Sequence, residues 1–195
     1  SVVNCGKPLP GFSVEIRDGD GTVLSDTRIG SVWIKGDSLM TGYFRDPEAT
    51  IACMVDGWLN TGDIGYLRDD YLYIVGRAKD MLIINGCNYW PQDIEWAVEQ
   101  IPGLRGGDSA AFGVRRDNGM EEPVVLVHCR NGDPAHQIGL RDQVKAKVRQ
   151  LTGMLATVEL VAPRSLPRTS SGKLARSKAR TLYLGGQMPV LALPD

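Results

Sequence analysis

The stretch "YLYIVGRAKDMLIINGCNYWPQDIEWAVEQ", residues 71–100, decides the fold, because two strand patterns in it give way to a helix pattern. The runs "YLYIVG" at 71–76 and "MLIING" at 81–86 are rich in aliphatic and aromatic residues and predict strands. They are separated by the charged tetrapeptide "RAKD", residues 77–80, whose length suits a plain hairpin turn. The sequence therefore predicts consecutive strands on either side of this tetrapeptide.

Beyond Gly86 the apolar spacing changes from a period of two to about 3.6, as on one face of an amphipathic helix. The positions that form this face are Ile94, Ala97, Val98 and Ile101. Pro91 suits the first helical position, and Asp93 suits the positive end of the helix dipole. A helix from about Pro91 to Gln100 is expected.

Both flanks of this stretch predict regular structure. Upstream, residues 14–65 read as short strands joined by turns, and the Asp-Gly steps within residues 18–21 favour a hairpin. Downstream, the patterns predict strands at residues 108–114, 122–129 and 156–161 and a helix at residues 140–151. The expected fold class is α+β, with a β-rich sheet or small barrel followed by a compact α+β layer.

The composition is that of an ordinary globular protein of 195 residues with a formal net charge of −1, which favours neither nucleic acid nor an anionic membrane as a partner. The four cysteines form no CxxC pair and do not combine with a histidine at metal-ligand spacing, so neither a disulfide framework nor a metal site is expected.

No apolar run approaches the roughly 20 residues of a membrane helix, and no signal-peptide pattern opens the chain. We expect a cytoplasmic protein. Because Ser1 is not a methionine and a strand pattern follows at once, we also expect a cut inside a longer chain.

Several short charged segments could take part in binding or catalysis, but each one alone is weak evidence of a functional site. The string "TGD", residues 61–63, is usually a turn, and a lone arginine such as Arg77 is usually solvated. "LPRTSSGKLAR", residues 166–176, predicts a flexible loop that carries Lys173 and suits phosphate contact. The same basic segment could dock on an acidic partner, whereas nucleic acid is disfavoured because no aromatic residues interleave to stack bases.

Taken together and in order, five strings resemble the adenylate-forming superfamily, which includes acyl-CoA synthetases, fatty acyl-AMP ligases and the adenylation domains of peptide synthetases. They are "GKPLPG" at 6–11, "GSVWIKGDSLMTGYFRDPEAT" at 30–50, "DGWLNTGDIGYL" at 56–67, "GRAKDMLIINGCNYWPQDIE" at 76–95 and "LPRTSSGKLAR" at 166–176. Because they cover nearly the whole chain in the family's order, the chain is identified as a C-terminal portion of such an enzyme.

The resemblance implies roles for individual residues. Asp63 matches the carboxylate that accepts hydrogen bonds from both ribose hydroxyls of ATP or AMP, and Arg77 matches a basic residue that reaches the ribose and the phosphates. Lys79 falls on the hinge about which a small C-terminal domain swings. Lys173 matches the catalytic lysine that contacts the substrate carboxylate and the nucleotide phosphate during adenylation. Gly86 lies where the family lines the tunnel for the acceptor thiol.

The resemblance also implies a domain division. Residues 1–78 would be the β-rich end of the large adenylating domain, residues 79–185 the mobile lid domain and residues 186–195 a loose tail. The phosphate loop, the acyl pocket and the Mg²⁺ ligand lie upstream in the family and have no match in this chain. The isolated chain is therefore expected to be inactive and to bind ATP or AMP weakly at best.

The implied reaction joins a fatty acid or another carboxylic acid to ATP, giving acyl-AMP and pyrophosphate, and then transfers the acyl group to a thiol. The segment that starts at Gly86 is most similar to the fatty acyl-AMP ligases, which implies the phosphopantetheine arm of an acyl carrier protein as acceptor. An acyl-CoA synthetase that uses coenzyme A is the first alternative. A non-catalytic domain that docks on an acidic carrier protein is the second, and no nucleic acid or membrane span is expected.

Overall fold

The structure, a computed structural model, describes residues 2–84, 86–116 and 119–192. The chain divides into two compact units, unit 1 (Ser1–Lys79) and unit 2 (Asp80–Asp195). The elements of unit 1 are β1 (Val3–Asn4), β2 (Phe12–Arg17), β3 (Gly30–Gly36), α1 (Pro47–Cys53), β4 (Met54–Val55), β5 (Trp58–Arg68) and β6 (Tyr71–Arg77). Those of unit 2 are β7 (Leu82–Ile84), β8 (Cys87–Tyr89), α2 (Pro91–Val98), β9 (Ser109–Arg115), β10 (Glu121–His128), α3 (Pro134–Thr152), β11 (Thr157–Val161) and α4 (Arg176–Leu184).

Unit 1 is built on one antiparallel sheet of six strands. Its order is β1-β6-β5-β3-β2, with β4 paired to β5 outside this path. Ile16 on β2 and Val32 on β3 are buried hydrophobic residues of this sheet, each 1% exposed, and they pair across the ladder. The Asp18 carboxylate accepts the N–H groups of Asp20 and Thr22 after β2, which is the local turn chemistry that the Asp-Gly steps predict. The predicted β-rich sheet is confirmed.

The charged tetrapeptide between β6 and β7 is not a hairpin turn. Ala78–Asp80 forms a 3₁₀ turn, after which β7 pairs with β8, while β6 pairs with β1 and β5. The hairpin interpretation is wrong because β6 and β7 join the sheets of different units. Strand propensity predicts that a segment is a strand but not which strand it pairs with. The division between the units falls directly after Lys79, one residue later than the boundary suggested by the resemblance.

Unit 2 is layered around a three-stranded sheet in the order β11-β10-β9, in which β10 runs antiparallel to β9 and parallel to β11. On one face, Val125 and Val127 of β10 share a core cluster with residues of α2 and α3. On the other face, Val124 and Leu126 pack in a second cluster with Ala179 of α4. β10 is apolar along most of its length because both of its faces are covered. The α+β class is confirmed.

The helices differ from the sequence expectation in number and length. α3 begins at Pro134 rather than near residue 140, because the Asp133 carboxylate caps it by accepting the His136 N–H at 2.9 Å. α1 and α4 were not expected. α4 buries only Ala179 and is polar at most of its other positions, so its sequence does not stand out as that of a packed helix. Among the described ranges, no helix combines the length and the apolar character needed to cross a membrane.

The end of the chain packs instead of forming the predicted loose tail. Met188 is buried in the second core cluster, and Val190 forms an isolated bridge with Val161. The Leu191 N–H donates to the Leu160 carbonyl at 2.8 Å. The tail prediction is therefore wrong for this part, while its residues 193–195 lie outside the described residues, as does position 85 of the predicted strand 81–86.

Candidate functional site

Asp63 lies on an irregular stretch of β5 that aims its side chain. The β3–β5 register shifts between Ser31 and Trp33, where residues 61–63 of β5 bulge from the ladder. Gly62 takes part with a φ of +73°, a left-handed conformation that favours glycine. Such bulges re-aim single side chains within an otherwise regular sheet.

Side chains hold this bulge in place. The Thr61 hydroxyl donates to the Val32 carbonyl at 2.9 Å and accepts the Asp63 N–H at 3.1 Å. The Asn60 side-chain oxygen accepts the Gly62 N–H at 2.9 Å. These bonds replace those of the ladder, so the string "NTGD" fixes the backbone that carries Asp63.

The structure brings Asp63 and Arg77 together. They are directly opposite each other on β5 and β6, and Arg77 Nε donates to Asp63 Oδ1 at 2.9 Å. The Asp63 side chain is 29% exposed and that of Arg77 is 53% exposed. Because both groups reach water, the pair contributes little to stability, and a hydroxyl or phosphate of a ligand can take the place of either partner.

Lys79 and Gly86 lie on turns. Lys79 is exposed in the 3₁₀ turn and is the last residue of unit 1. Gly86 lies between β7 and β8 with a φ of +74°, and a Cβ atom there would meet no other described atom within 4 Å. In this structure the left-handed backbone, rather than crowding, is what requires glycine at this position.

Lys173 lies in a hairpin, not in the flexible loop that the sequence predicts. Arg168 and Leu174 form a bridge across it. Thr169 donates its N–H to the Lys173 carbonyl at 2.8 Å, and its hydroxyl accepts the Lys173 N–H at 3.1 Å. Gly172 closes the turn with a φ of +80°. The "TSSGK" string is thus a turn sequence, whose small residues allow a tight reversal rather than disorder.

The Lys173 side chain is exposed at this turn. Within the described part of the chain, no carboxylate lies within ion-pair distance of its ammonium group. The fold therefore presents a cation on a backbone that is fixed by its own hydrogen bonds. Such a group is available to an anionic ligand.

A buried ion pair anchors the segment that carries Lys173, and the sequence analysis did not find it. Arg176 donates from Nε and from a terminal nitrogen to the two oxygens of Glu95, at 2.7 and 2.6 Å. The Ala111 N–H also donates to Glu95, at 3.0 Å. Burial raises the pKa of Glu95, while the bonds from Arg176 and Ala111 oppose that rise. The sequence did contain a sign of this pair, because Glu95 is an acid next to Ile94 on the buried face of α2. A buried acid needs a cationic partner.

A second buried carboxylate, Asp108, lies at the start of β9. Arg130 binds its two oxygens at 2.6 and 2.7 Å, and His128 Nδ1 lies 3.4 Å away. His128 Nε2 accepts the Leu166 N–H at 3.3 Å, so Nδ1 carries the proton and donates to Asp108. Burial lowers the pKa of His128 and keeps the ring neutral. With both nitrogens engaged, His128 is a structural residue rather than a general base. No group of three or more His, Cys, Asp or Glu side chains in the described residues could hold a metal ion.

Known proteins have sequences similar to this chain. No protein-family profile matches the chain. A Caulobacter vibrioides protein with a provisional acyl-CoA synthetase name is 47% identical over 184 residues, which cover 93% of this chain and 32% of that protein. A long-chain-fatty-acid–AMP ligase of Mycolicibacterium smegmatis is 30% identical, over 91% of this chain and 34% of that ligase. The chain thus spans about a third of the length of these relatives.

A similar fold occurs among solved structures. A chain from structural work on fatty acyl-adenylate ligases of E. coli and L. pneumophila superposes with a TM-score of 0.84 at 42% identity. The match covers 95% of this chain and 33% of the solved chain. Sequence and structure comparisons agree on the same kind of enzyme, and they confirm the resemblance drawn from the five strings.

Proposed function

We propose, on the premise that this chain is the C-terminal portion of an adenylate-forming enzyme, that it serves a fatty acyl-AMP ligase. That enzyme would join a fatty acid to ATP, release pyrophosphate, and pass the acyl group to the phosphopantetheine thiol of an acyl carrier protein. The proposal draws on the 42% identity to a fatty acyl-adenylate ligase structure and on the exposed cation at Lys173. The exposed cation is the observation that carries the chemical part of the proposal.

Lys173 suits the first half-reaction because of its charge and its fixed backbone. A carboxylate that attacks the α-phosphorus of ATP brings two anions together, and the departing pyrophosphate concentrates further charge. An ammonium group delivered to that point stabilises the transition state more than the ground state. In our proposal the Glu95–Arg176 pair holds the base of the Lys173 hairpin, so that the lysine arrives in one orientation.

Asp63 and Arg77 suit nucleotide binding. A carboxylate offers two acceptor oxygens, which match the two hydroxyls of a ribose, and the arginine offers a planar set of donors for phosphate or ribose oxygens. In the structure Arg77 donates to Asp63 at 2.9 Å. Exchange of this exposed contact for contacts with ATP or AMP would cost little, and the Mg²⁺ that accompanies ATP would be held by parts of the enzyme outside this chain.

The second half-reaction would use Lys79 and Gly86. Lys79 lies at the boundary between the two units, in a short turn whose φ and ψ angles can change without breaking a sheet. We propose it as the hinge, and the Gly86 turn as part of the tunnel for the acceptor thiol. The absence of a side chain at Gly86 would leave room for a pantetheine arm.

A fatty acyl-CoA synthetase is the second candidate, and a specific observation favours it. The relative with 47% identity bears an acyl-CoA synthetase name, although that name is provisional. In this alternative, coenzyme A replaces the carrier protein while the roles of Asp63, Arg77 and Lys173 stay the same. A docking domain without catalysis is a third hypothesis, and it predicts indifference to the loss of Lys173 alone.

Adenylation is tested in the complete enzyme by ATP–pyrophosphate exchange with a fatty acid. The Lys173→Ala variant should lose about 10²- to 10³-fold in exchange rate, with nucleotide affinity changed only slightly. Lys178→Ala is the matched control, because Lys178 is an exposed lysine of the same segment. Equal activity of the wild type and the Lys173 variant would refute the catalytic role and leave the docking hypothesis.

The acceptor is tested separately with labelled fatty acid and ATP. We expect thioester to form with a holo carrier protein and free acyl-adenylate to accumulate with coenzyme A alone. A carrier protein presents its thiol at a high effective concentration after docking, which can compensate for poor contacts with the rest of the acceptor. Rapid acyl-CoA synthesis would replace the acyl-AMP ligase proposal by the acyl-CoA synthetase one.

A further inference from the structure

A cavity of about 820 Å³ in unit 2 is lined by residues other than those proposed for catalysis. It is bounded by the turn before β9, by the end of β10 and by the segment 163–168 that leads to the Lys173 hairpin. The charged and titratable side chains that line it are Arg105, Asp108, His128, Arg130, Arg164 and Arg168. Four arginines and a single carboxylate residue thus contribute to the lining of one cavity.

Among the described residues, only one of these arginines is paired with an acid. Arg130 forms the bidentate pair with Asp108, so the carboxylate of the lining is already engaged. Burial alone would raise the pKa of Asp108, but hydrogen bonds from Arg130, the Arg105 N–H and His128 bring it below its ordinary value. Within the described ranges, Arg105, Arg164 and Arg168 have no carboxylate at ion-pair distance. The cavity therefore carries a net positive charge near neutral pH.

Two of the unneutralised arginines have a constrained geometry. Arg168 donates to the carbonyl oxygens of Gly107 and Gly172, both at 3.0 Å, which fixes its guanidinium plane. Gly107 has a φ of +80°, which favours glycine, and a Cβ atom there would lie 2.7 Å from the Arg168 guanidinium, which would have to shift. Arg164 has a φ of +68°, an uncommon conformation for a residue with a side chain. Such conformations persist where the surrounding structure or a function requires them.

We propose that this cavity binds a phosphate group that carries two negative charges. Planar guanidinium groups match phosphate oxygens in pairs, and three of them remain available after Asp108 is neutralised. The described lining contains no Phe, Tyr or Trp, so a nucleobase would find none of these rings to stack on. The volume exceeds that of a lone phosphate, which suits pyrophosphate or a small phosphate ester. The lining includes none of the residues proposed for the adenylation reaction.

The test uses the 195-residue chain at constant ionic strength, with inorganic phosphate, pyrophosphate and glycerol 3-phosphate as separate probes. We expect saturable binding of at least one probe by calorimetry, with shifts of the Gly107 and Leu166 amide signals in NMR spectra. Arg105→Gln and Arg164→Gln should each weaken that binding about tenfold, since each removes a charge-assisted contact. Arg149→Gln, the control, removes an exposed charge of the same unit outside the cavity and should leave affinity unchanged.

The probes distinguish the source of the phosphate. Tighter binding of pyrophosphate indicates a free inorganic anion, and tighter binding of glycerol 3-phosphate indicates an ester; both support the site. Absence of saturable binding by all three probes would overturn the proposal. Equal affinities in the wild type, both cavity variants and the control would overturn it as well, because binding would then lie elsewhere on the surface.

Discussion

Two arginine–carboxylate pairs, one in each unit, contain the same chemical groups and have different roles. In unit 1, Arg77 donates to Asp63 at 2.9 Å, and the arginine is about half exposed. In unit 2, Glu95 and Arg176 share two bonds of 2.6 and 2.7 Å, and the Glu95 side chain is only 7% exposed. Burial, rather than the identity of the residues, separates them.

The difference teaches which pair can change partners. An exposed pair gives up little when it opens, because water solvates both ions. A buried pair cannot open without leaving a charge in an apolar environment, so it acts as a fixed link between α2 and α4. In our proposal, Asp63 and Arg77 therefore exchange their contact for a ligand, and Glu95 and Arg176 position the Lys173 segment.

The largest expected effect comes from breaking the buried pair. Arg176→Gln should lower the free energy of unfolding of unit 2 by about 3–5 kcal/mol, because Glu95 loses its countercharge. The same change in the exposed pair, Arg77→Gln, should cost at most about 1 kcal/mol. Urea unfolding followed by circular dichroism measures the change in free energy of unfolding for both variants. Hydrogen exchange of the α2 amides shows whether unit 2 is the unit that is destabilised.

A second variant keeps this prediction interpretable. Glu95→Gln combined with Arg176→Gln removes both charges, while the glutamine introduced on α2 keeps an acceptor for the Ala111 N–H. We expect the double variant to be more stable than Arg176→Gln alone. Similar losses for Arg77→Gln and Arg176→Gln would show that burial does not separate the two pairs.

A smaller effect is expected on ligand binding, and here the exposed pair should matter more. Asp63→Asn in the complete enzyme should weaken AMP binding about tenfold or more, because it removes the charge from the proposed contacts with two ribose hydroxyls. Its effect on stability should stay within about 1 kcal/mol. Calorimetry with AMP measures the affinity, and Asp37→Asn is a control at another aspartate of unit 1. An unchanged affinity would remove Asp63 from the nucleotide site.

The smallest expected effect is on the pH dependence of stability, and it concerns the surroundings of the Asp108–Arg130 pair. The exposure of this pair is intermediate between those of the other two, with the acid 7% and the arginine 42% exposed. The pKa of the adjacent His128 is lowered by burial, so on acidification the unfolded state takes up this proton first. The contribution of His128 is complete above the ordinary pKa of about 6.5 and is lost as the pH falls through that value toward the lower folded-state pKa. Asp108, whose pKa is also lowered, acts in the same direction at lower pH.

Unfolding free energies measured between about pH 7.5 and 5.5, on either side of the ordinary histidine pKa, check this prediction. His128→Gln should flatten the decline, since a Gln side chain can donate to Asp108 and accept from Leu166 without titrating. His136→Gln is the control, because His136 is exposed near the start of α3. A decline that is the same in wild type and in His128→Gln would mean that His128 does not set this pH dependence.

The sequence predicted much of the fold because local patterns agree with it. The aliphatic and aromatic run at residues 71–76, the apolar face of α2 and the run in β10 each predicted an element that the structure has. α4 escaped notice because it is short and mostly polar, and α3 began early because a single cap at Asp133 sets its start. The end of the chain was expected to be loose, since nothing local reveals that Val190 has Val161 as a neighbour.

By itself the sequence determined the α+β class, the superfamily and the residues that are candidates for chemistry. Strand and helix patterns indicate the class, and the resemblance of five ordered strings to the family implies the superfamily and the candidate residues. Only the tertiary structure decided that Asp63 pairs with Arg77 across two strands, that Arg176 reaches Glu95 eighty-one positions away, and that arginines from three segments surround one cavity. Such pairings depend on which surfaces are buried together, and burial is a property of the packed chain that no local spacing encodes.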